Sequence, residues 1–426
     1  MGYCHTKILG IIIIILYIIF LIIYVKYKNK NYEYFTDYID ETFYYTLANN
    51  QDIDILNKER YIYYGDEKIT GFIGQYILFD IFSKLKRKKF TVLRYPDFRN
   101  EIKRHSKKYF DNYFLYLNNE IINKDDNYIF DFSGFHGIID NKVRIWVKLM
   151  ETFSRKTANE IMGTTYLIPN DKQLFLNNYI IGKKYILKNS FGGARSALKI
   201  TNDREEIINY FNNINENPSS CEDAVCHSKV KYNIVQDYIE PTFLMKGLKF
   251  GLRMFLIITN NKNSYNGYVY SDGYCYYSVN KYKKDSTELE ENVVGAISKT
   301  EVTREKYNLP ESYKDFEKYV IQNIDNGFNK LKNFQEKLCE YSYKITESNK
   351  DDLCIFKKDN IKSFMIYAMD IEIDSNFKPF IFEANVYFTR FDMKKRLGHM
   401  ISNMYNDIYY KLGLSKKEIN GMWKIN

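Results

Sequence analysis

The clearest pattern along the chain lies at residues 141–153. Val143, Trp146, Val147, Leu149, Met150 and Phe153 recur there at the three- and four-residue spacing of one helix face. Tyr166-Leu167-Ile168 then reads as a short strand stopped by Pro169, and a polar amphipathic segment follows to Ile180. Strand-length apolar runs stand at residues 184–187, 232–235 and 249–259. Residues 267–278 predict a hairpin bent at Ser271-Asp272-Gly273. A helical period occupies residues 311–341. Residues 364–385 read as two strands joined at Asp374-Ser375-Asn376, and residues 393–412 as a closing helix. Strands and helices interleave without a repeat, so the predicted class is α+β with mixed and antiparallel sheets.

The amino-terminal part has another character. Residues 8–25 carry no charge, and a run of that length is just enough to span a bilayer as a helix. No small-residue cleavage pattern follows it. Lys26, Lys28 and Lys30 come next, which by the positive-inside rule places the carboxy-terminal body in the cytosol. Met1-Gly2-Tyr3-Cys4-His5-Thr6 also fits an N-myristoylation pattern, with Cys4 open to palmitate. The expectation is a single-pass membrane protein, anchored through residues 8–25, with its body in the cytosol. Between residues 29 and 135 short aromatic strands alternate with basic stretches such as 84–89, which read as a solvated face.

Composition adds bounds. Hydrophobic residues make up 45% of the 426, which supports a full core. The 41 tyrosines and 30 phenylalanines read as coding bias before they read as function. A net charge of +9 favours acidic partners without choosing among them. Cys4, Cys221, Cys226, Cys275, Cys339 and Cys354 are scattered and read as reduced thiols. Cys221, Cys226 and His227 cluster, yet the second ligand pair of a zinc site is missing, so a polar loop is expected.

Three segments could carry chemistry. In residues 364–385, period two puts Glu383 and Asn385 on one face, and a turn near Asn376 brings Asp370 opposite Glu383. Two carboxylates and an amide among apolar neighbours suit magnesium, which takes few protein ligands and keeps waters or phosphates. In Lys249-Phe250-Gly251-Leu252-Arg253 the same period places two cations on one face with a glycine between them. Cations beside a metal site fit the stabilisation of transferring phosphoryl charge. Lys188 ends a strand and opens the small-residue loop 189–196, whose backbone N–H groups could cap phosphates, although the Walker spacing is absent.

Together these segments resemble the tubulin tyrosine ligase-like family of the ATP-grasp superfamily. Residues 235–240 and 246–253 are similar to its VQKYI…GxKFDLR run, and residues 364–385 to its FEL-G-D…LKPWLLEVN run. Residues 141–149 and 165–169 resemble its lysine-led helix and TxxLP strand. The resemblance implies an ATP-grasp fold and an ATP- and Mg²⁺-dependent ligase that adds an amino acid to a protein through an acyl phosphate. It implies that Lys142, Lys188 and Lys249 bind phosphates and that Gln236, Asp237, Tyr238 and Ile239 form a hinge against adenine. Asp370, Glu383 and Asn385 would hold magnesium, with Lys249 and Arg253 the catalytic cations. Three departures stand out: Gly251 replaces the aspartate of KFDLR, Tyr276 stands where an arginine is usual, and the family's LTN segment appears only as Asn292-Val293-Val294-Gly295, with its Thr-Asn replaced.

The expected organisation is an anchor at 1–29, an amino-terminal domain at 30–135, a central ATP-grasp domain at 136–235 and a carboxy-terminal one with the metal site at 236–426. The expected partners are a free amino acid and an acidic protein acceptor such as a tubulin tail, with no nucleic acid and a monomeric state. The competing reading is a non-catalytic nucleotide-binding module with an altered acceptor site.

Overall fold

The computed structural model describes residues 139–425 except 140, 190–197, 213–231, 296, 354, 356–361, 386–394 and 416. Backbone alone is described at 91–94, 128–131, 297–299, 395–399 and 402. All of this lies in the second of the chain's two units, Ile62–Asn426. Residues 190–196 of the small-residue loop and the Cys221–Cys226–His227 cluster fall outside the described residues.

In chain order the strands are β1 (Thr91–Arg94), β2 (Tyr128–Asp131), β3 (Thr165–Leu167), β4 (Tyr185–Lys188), β5 (Leu198–Thr201), β6 (Ile234–Asp237) and β7 (Leu244–Met245). They continue as β8 (Leu248–Asn261), β9 (Ser264–Lys281), β10 (Lys362–Ile373), β11 (Pro379–Asn385) and β12 (Met422–Lys424). The helices are α1 (Lys142–Thr152), α2 (Arg155–Met162), α3 (Lys172–Asn178), α4 (Arg204–Asn212) and α5 (Leu289–Asn292), then α6 (Ile297–Tyr307), α7 (Tyr313–Asn323), α8 (Gly327–Ser348) and α9 (Lys395–Lys411). The class is α+β, as the pattern predicted.

Two sheets organise these elements. The larger runs β1-β2-β10-β8-β9-β12, with β11 against β10 and β7 against β8; the smaller runs β3-β6-β4-β5. Pairing within the described residues is antiparallel except where β2 meets β1 and β10. On β10 the odd positions Met365, Tyr367 and Met369 enter the main core with Trp146, Phe316 and Leu338. The even positions face the other way, beginning with Phe364 edge-on to Tyr405 of α9. Asp370 and Glu372 continue that second face, so strand alternation alone separates the core from the candidate chemistry. In the smaller sheet Tyr185 and Leu187 pack with Phe175, Ile207 and Phe211, while Ile186 turns to the opposite side with Tyr238 and Val293.

Local signals explain the boundaries. Asn141 caps α1, its side chain accepting from the backbone of Val143 and Arg144. Ser312 and Asp315 form a reciprocal capping box at the start of α7. The helical period over 311–341 therefore resolves into two helices. The long one, α8, buries Leu331, Phe334, Leu338, Tyr341 and Ile345 and turns charged residues outward.

Two expectations are corrected. The hairpin expected within residues 267–278 is part of one continuous strand, β9. The chain reverses earlier, at Lys262 and Asn263, both with positive φ. Ser271-Asp272-Gly273 is instead the site of a register shift against β8. A β-carbon at Gly273 would run into the Arg253 carbonyl, so this glycine permits close backbone approach and does not make a turn. The single-pass membrane placement is also corrected. Among the described residues no helix is long and apolar enough to cross a membrane, because each long helix keeps a polar face. Residues 8–25, which prompted that reading, lie outside the described residues.

Candidate functional site

The candidate residues meet in a cleft between the two sheets. From the smaller sheet, period two sends Lys188 of β4 and Ile234 and Gln236 of β6 into it, where they line a pocket with Lys142, Trp146, Met162, Thr165 and Phe382. Lys188 is buried. Its Nζ donates to Gln236 Oε1 at 2.6 Å and sits 4.1 Å above the Phe382 ring. Burial lowers its pKa from 10.5 to about 8. Gln236 is fully engaged, because its amide nitrogen donates to the Met162 carbonyl at 2.6 Å and to Thr165 Oγ1 at 2.9 Å.

The larger sheet supplies rows of facing residues. Across β9, β8 and β10 one row reads Tyr274, Arg253, Asp370, and the row beside it reads Tyr276, Gly251, Glu372. Arg253 grips Asp370 with two parallel bonds, Nε to Oδ1 at 2.7 Å and Nη2 to Oδ2 at 2.8 Å. Burial opposes the Arg253 charge, and the Asp370 carboxylate more than offsets it, leaving the guanidinium pKa raised. Its guanidinium also lies 5.3 Å from the Tyr276 ring centre. Lys249 is 0% exposed and pairs with Glu372 Oε2 at 2.9 Å, although the approach does not satisfy hydrogen-bond geometry. Burial lowers the Lys249 pKa, and Glu372 works against that shift. Removing one partner of a buried pair of this kind typically costs about 3–5 kcal/mol.

The expected metal set is brought together. Asp370 and Glu383 are direct partners across β10 and β11, and Asn385 Nδ2 donates to Asp370 Oδ2 at 3.3 Å. Glu383 in turn pairs with Lys142 at 3.0 Å. Both acids keep partial exposure, 33% for Asp370 and 25% for Glu383. Among the described residues there is no cluster of three or more His, Cys, Asp or Glu side chains that could hold a metal. Two carboxylates and an amide are thus short of a complete protein cage. They fit magnesium, a hard cation that completes its shell with water and phosphate oxygens.

The hinge residues divide. Tyr238 lies at the cleft, its ring 4.2 Å from Lys249 Nζ and 4.5 Å from Lys184 Nζ, and its hydroxyl donates to the Asn292 carbonyl at 2.7 Å. Ile239 is buried beside Gly163. Asp237 turns to the opposite face of β6 and pairs with Lys183 at 2.6 Å. Two participants were not anticipated. Lys184, just before β4, is 4% exposed and is held by Asn292 Oδ1 at 2.9 Å and Glu240 Oε1 at 3.0 Å. Glu372 is the counter-charge of Lys249. Its signal was its parity with Asp370, two residues earlier on one strand; Lys184 likewise stands four residues before Lys188.

The arrangement joins Lys142 to Glu383, Arg253 to Asp370 and Lys249 to Glu372, with Lys188 beside them held by neutral Gln236. Such a cleft can trade each pair for a polyanion on the basic side and a cation on the acidic side.

The sequence profile of the tubulin-tyrosine ligase family matches residues 129–408, which is more than half of the chain. The chain belongs to that family. It is similar to the probable tubulin polyglutamylase ttll-9 of Caenorhabditis elegans, with 25% identity over 281 residues, covering 61% of this chain and 61% of that protein. The chain thus spans less than two thirds of the length of this relative.

Proposed function

We propose that the chain is an ATP-dependent ligase of the ATP-grasp type that joins the amine of a free amino acid to a carboxylate of an acidic protein acceptor. The observation that carries this reading is the convergence of Lys142, Lys188, Lys249 and Arg253 on one cleft beside Asp370, Glu383 and Asn385. The central domain at 136–235 would contribute Lys142 and Lys188, and the domain at 236–426 the remainder.

An acceptor carboxylate oxygen attacks the γ-phosphorus of ATP; the bond to the β,γ-bridging oxygen breaks and ADP leaves. The amine nitrogen then attacks the acyl carbon, phosphate departs with the carbon–oxygen electron pair, and the nitrogen releases a proton. Lys142 and Lys188 would neutralise the phosphates, while Lys249 and Arg253 would face the charge that develops on the transferring group. Tyr238 and Ile239 would border the adenine. Asp370, Glu383 and Asn385 would hold magnesium, which supplies Lewis-acid charge at the phosphates. Net charge +9 suits an acidic acceptor, and the polyglutamylase named among the relatives makes a tubulin tail the first to try.

A second reading is favoured by Gly251, Tyr276 and Val293-Val294: a nucleotide-binding module whose acceptor end no longer performs ligation. The two separate when the full chain is incubated with ATP, magnesium, labelled amino acids and either tubulin or a lysate. Covalent label on protein supports the ligase. Magnesium-dependent ATP binding without label supports the module, and no ATP binding at all sinks both. Glu383→Gln is expected to abolish the magnesium-dependent part of ATP binding with the circular dichroism spectrum unchanged.

A further inference from the structure

Lys249 is a fully buried ammonium, so it needs a counter-charge inside the cleft. The resembled KFDLR motif would place a carboxylate two residues on, on the same face, and this chain has Gly251 there. The space over Gly251 is closed: a β-carbon would stand 3.2 Å from the Ile371 carbonyl oxygen and 3.3 Å from Val294 Cγ1. Val294 belongs to the segment where the Thr-Asn pair is also replaced. Directly across the strand pair from Gly251 stands Glu372, and its carboxylate reaches Lys249 Nζ at 2.9 Å. Glu372 and Asp370 lie on one face of β10, so the two acids separately engage Lys249 and Arg253, the two cations that flank Gly251.

We propose that Glu372 on β10 supplies the carboxylate that this row lacks at Gly251 of β8, and that it is the positioning residue that holds the Lys249 ammonium in the cleft. It acts through Lys249 and does not itself touch the reacting atoms. The glycine and Val294 are then the complement of Glu372: the acid stands on β10, and opposite it an apolar side chain closes the space over Gly251. This rests on the ligase reading for its link to ATP, whereas the charge pair itself can be tested without nucleotide.

The experiment uses the full chain in wild-type form and as Glu372→Leu, Glu372→Asp and the relocation variant Gly251→Asp/Val294→Ala/Glu372→Leu. Melting without nucleotide reads the pair. Glu372→Leu should melt below wild type, and both Glu372→Asp and the relocation variant should recover part of the loss. Magnesium-ATP turnover reads the positioning. Glu372→Leu should lower kcat about tenfold or more, equivalent to about 1.4 kcal/mol, with a smaller change in KM. The relocation variant should regain kcat. Wild-type melting and kcat in Glu372→Leu overturn the proposal. So does a relocation variant that recovers neither melting nor kcat while Glu372→Asp is also inactive. A wild-type chain that binds no ATP defeats the ligase reading alone, and in that case the melting series decides the pair.

Discussion

Lys188 shows most directly what burial does to a single residue here. Its ammonium has a neutral amide and an aromatic face as neighbours, and burial pulls its pKa to about 8. Below that pH it is charged and ready for phosphate; above it the cation is lost. ATP affinity is therefore expected to fall as pH rises through about 8, measured by calorimetric titration at saturating magnesium. Lys188→Met should flatten that profile and weaken binding by about tenfold, in keeping with about 1.5 kcal/mol for a hydrogen bond to a charged group. Folding stability without ligand runs the other way. Between about 8 and the unfolded value of 10.5 the unfolded chain holds more protons, so stability rises with pH across that window.

At the scale of elements, β10 and β11 are legible in the sequence, whereas the length of β9 is not. The acids of residues 364–385 fall opposite one another because Asp374 organises the turn, its Oδ1 accepting from the backbone of Asn376 and Lys378. Alternation and an Asx turn are local properties, and a sequence displays them. Ser271-Asp272-Gly273 displays the same kind of turn chemistry, yet β8 pairs on past it. Fourteen residues of β8 lie against eighteen of β9, and the sum of their ladder bonds outweighs one local preference. Gly273 is kept by the carbonyl of Arg253 on the other strand, which no local pattern could reveal. Gly273→Ala is expected to cost about 1–3 kcal/mol through overpacking, read as a lower urea midpoint at unchanged m-value.

For the whole molecule, the cleft depends on both sheets at once. Lys188 and Gln236 come from one sheet; Lys249, Arg253, Asp370 and Glu383 come from the other; Lys142 arrives from α1. A ligand that engages all of them binds only the folded chain. Magnesium-ATP at about 100 times its Kd should therefore add about 2.7 kcal/mol of stability, seen as a rise in melting temperature. Glu383→Gln should remove most of that rise, because its change falls on the acidic side of the cleft. An equal rise in wild type and variant would show that nucleotide binds elsewhere.

What the sequence determined by itself is helix α1 and the strands β4, β6, β8, β10 and β11 around the site, the class, and the faces on which Lys249, Arg253, Asp370, Glu383 and Asn385 stand. These follow from periods of two and 3.6 and from short-range caps and turns, which depend on near neighbours in the chain. Family membership was also legible, because ordered motifs survive where individual residues change. Tertiary structure alone decided which cation meets which acid. Lys142 is 241 positions from Glu383, and Arg253 is 117 from Asp370. Only sheet register and the packing of α1 set those pairs. It also decided that Asp237 faces away from the cleft, that Gly273 marks close approach, and that Glu372 stands where Gly251 has no side chain. Each of these is a contact between distant segments, and its energy exists only once the segments have met.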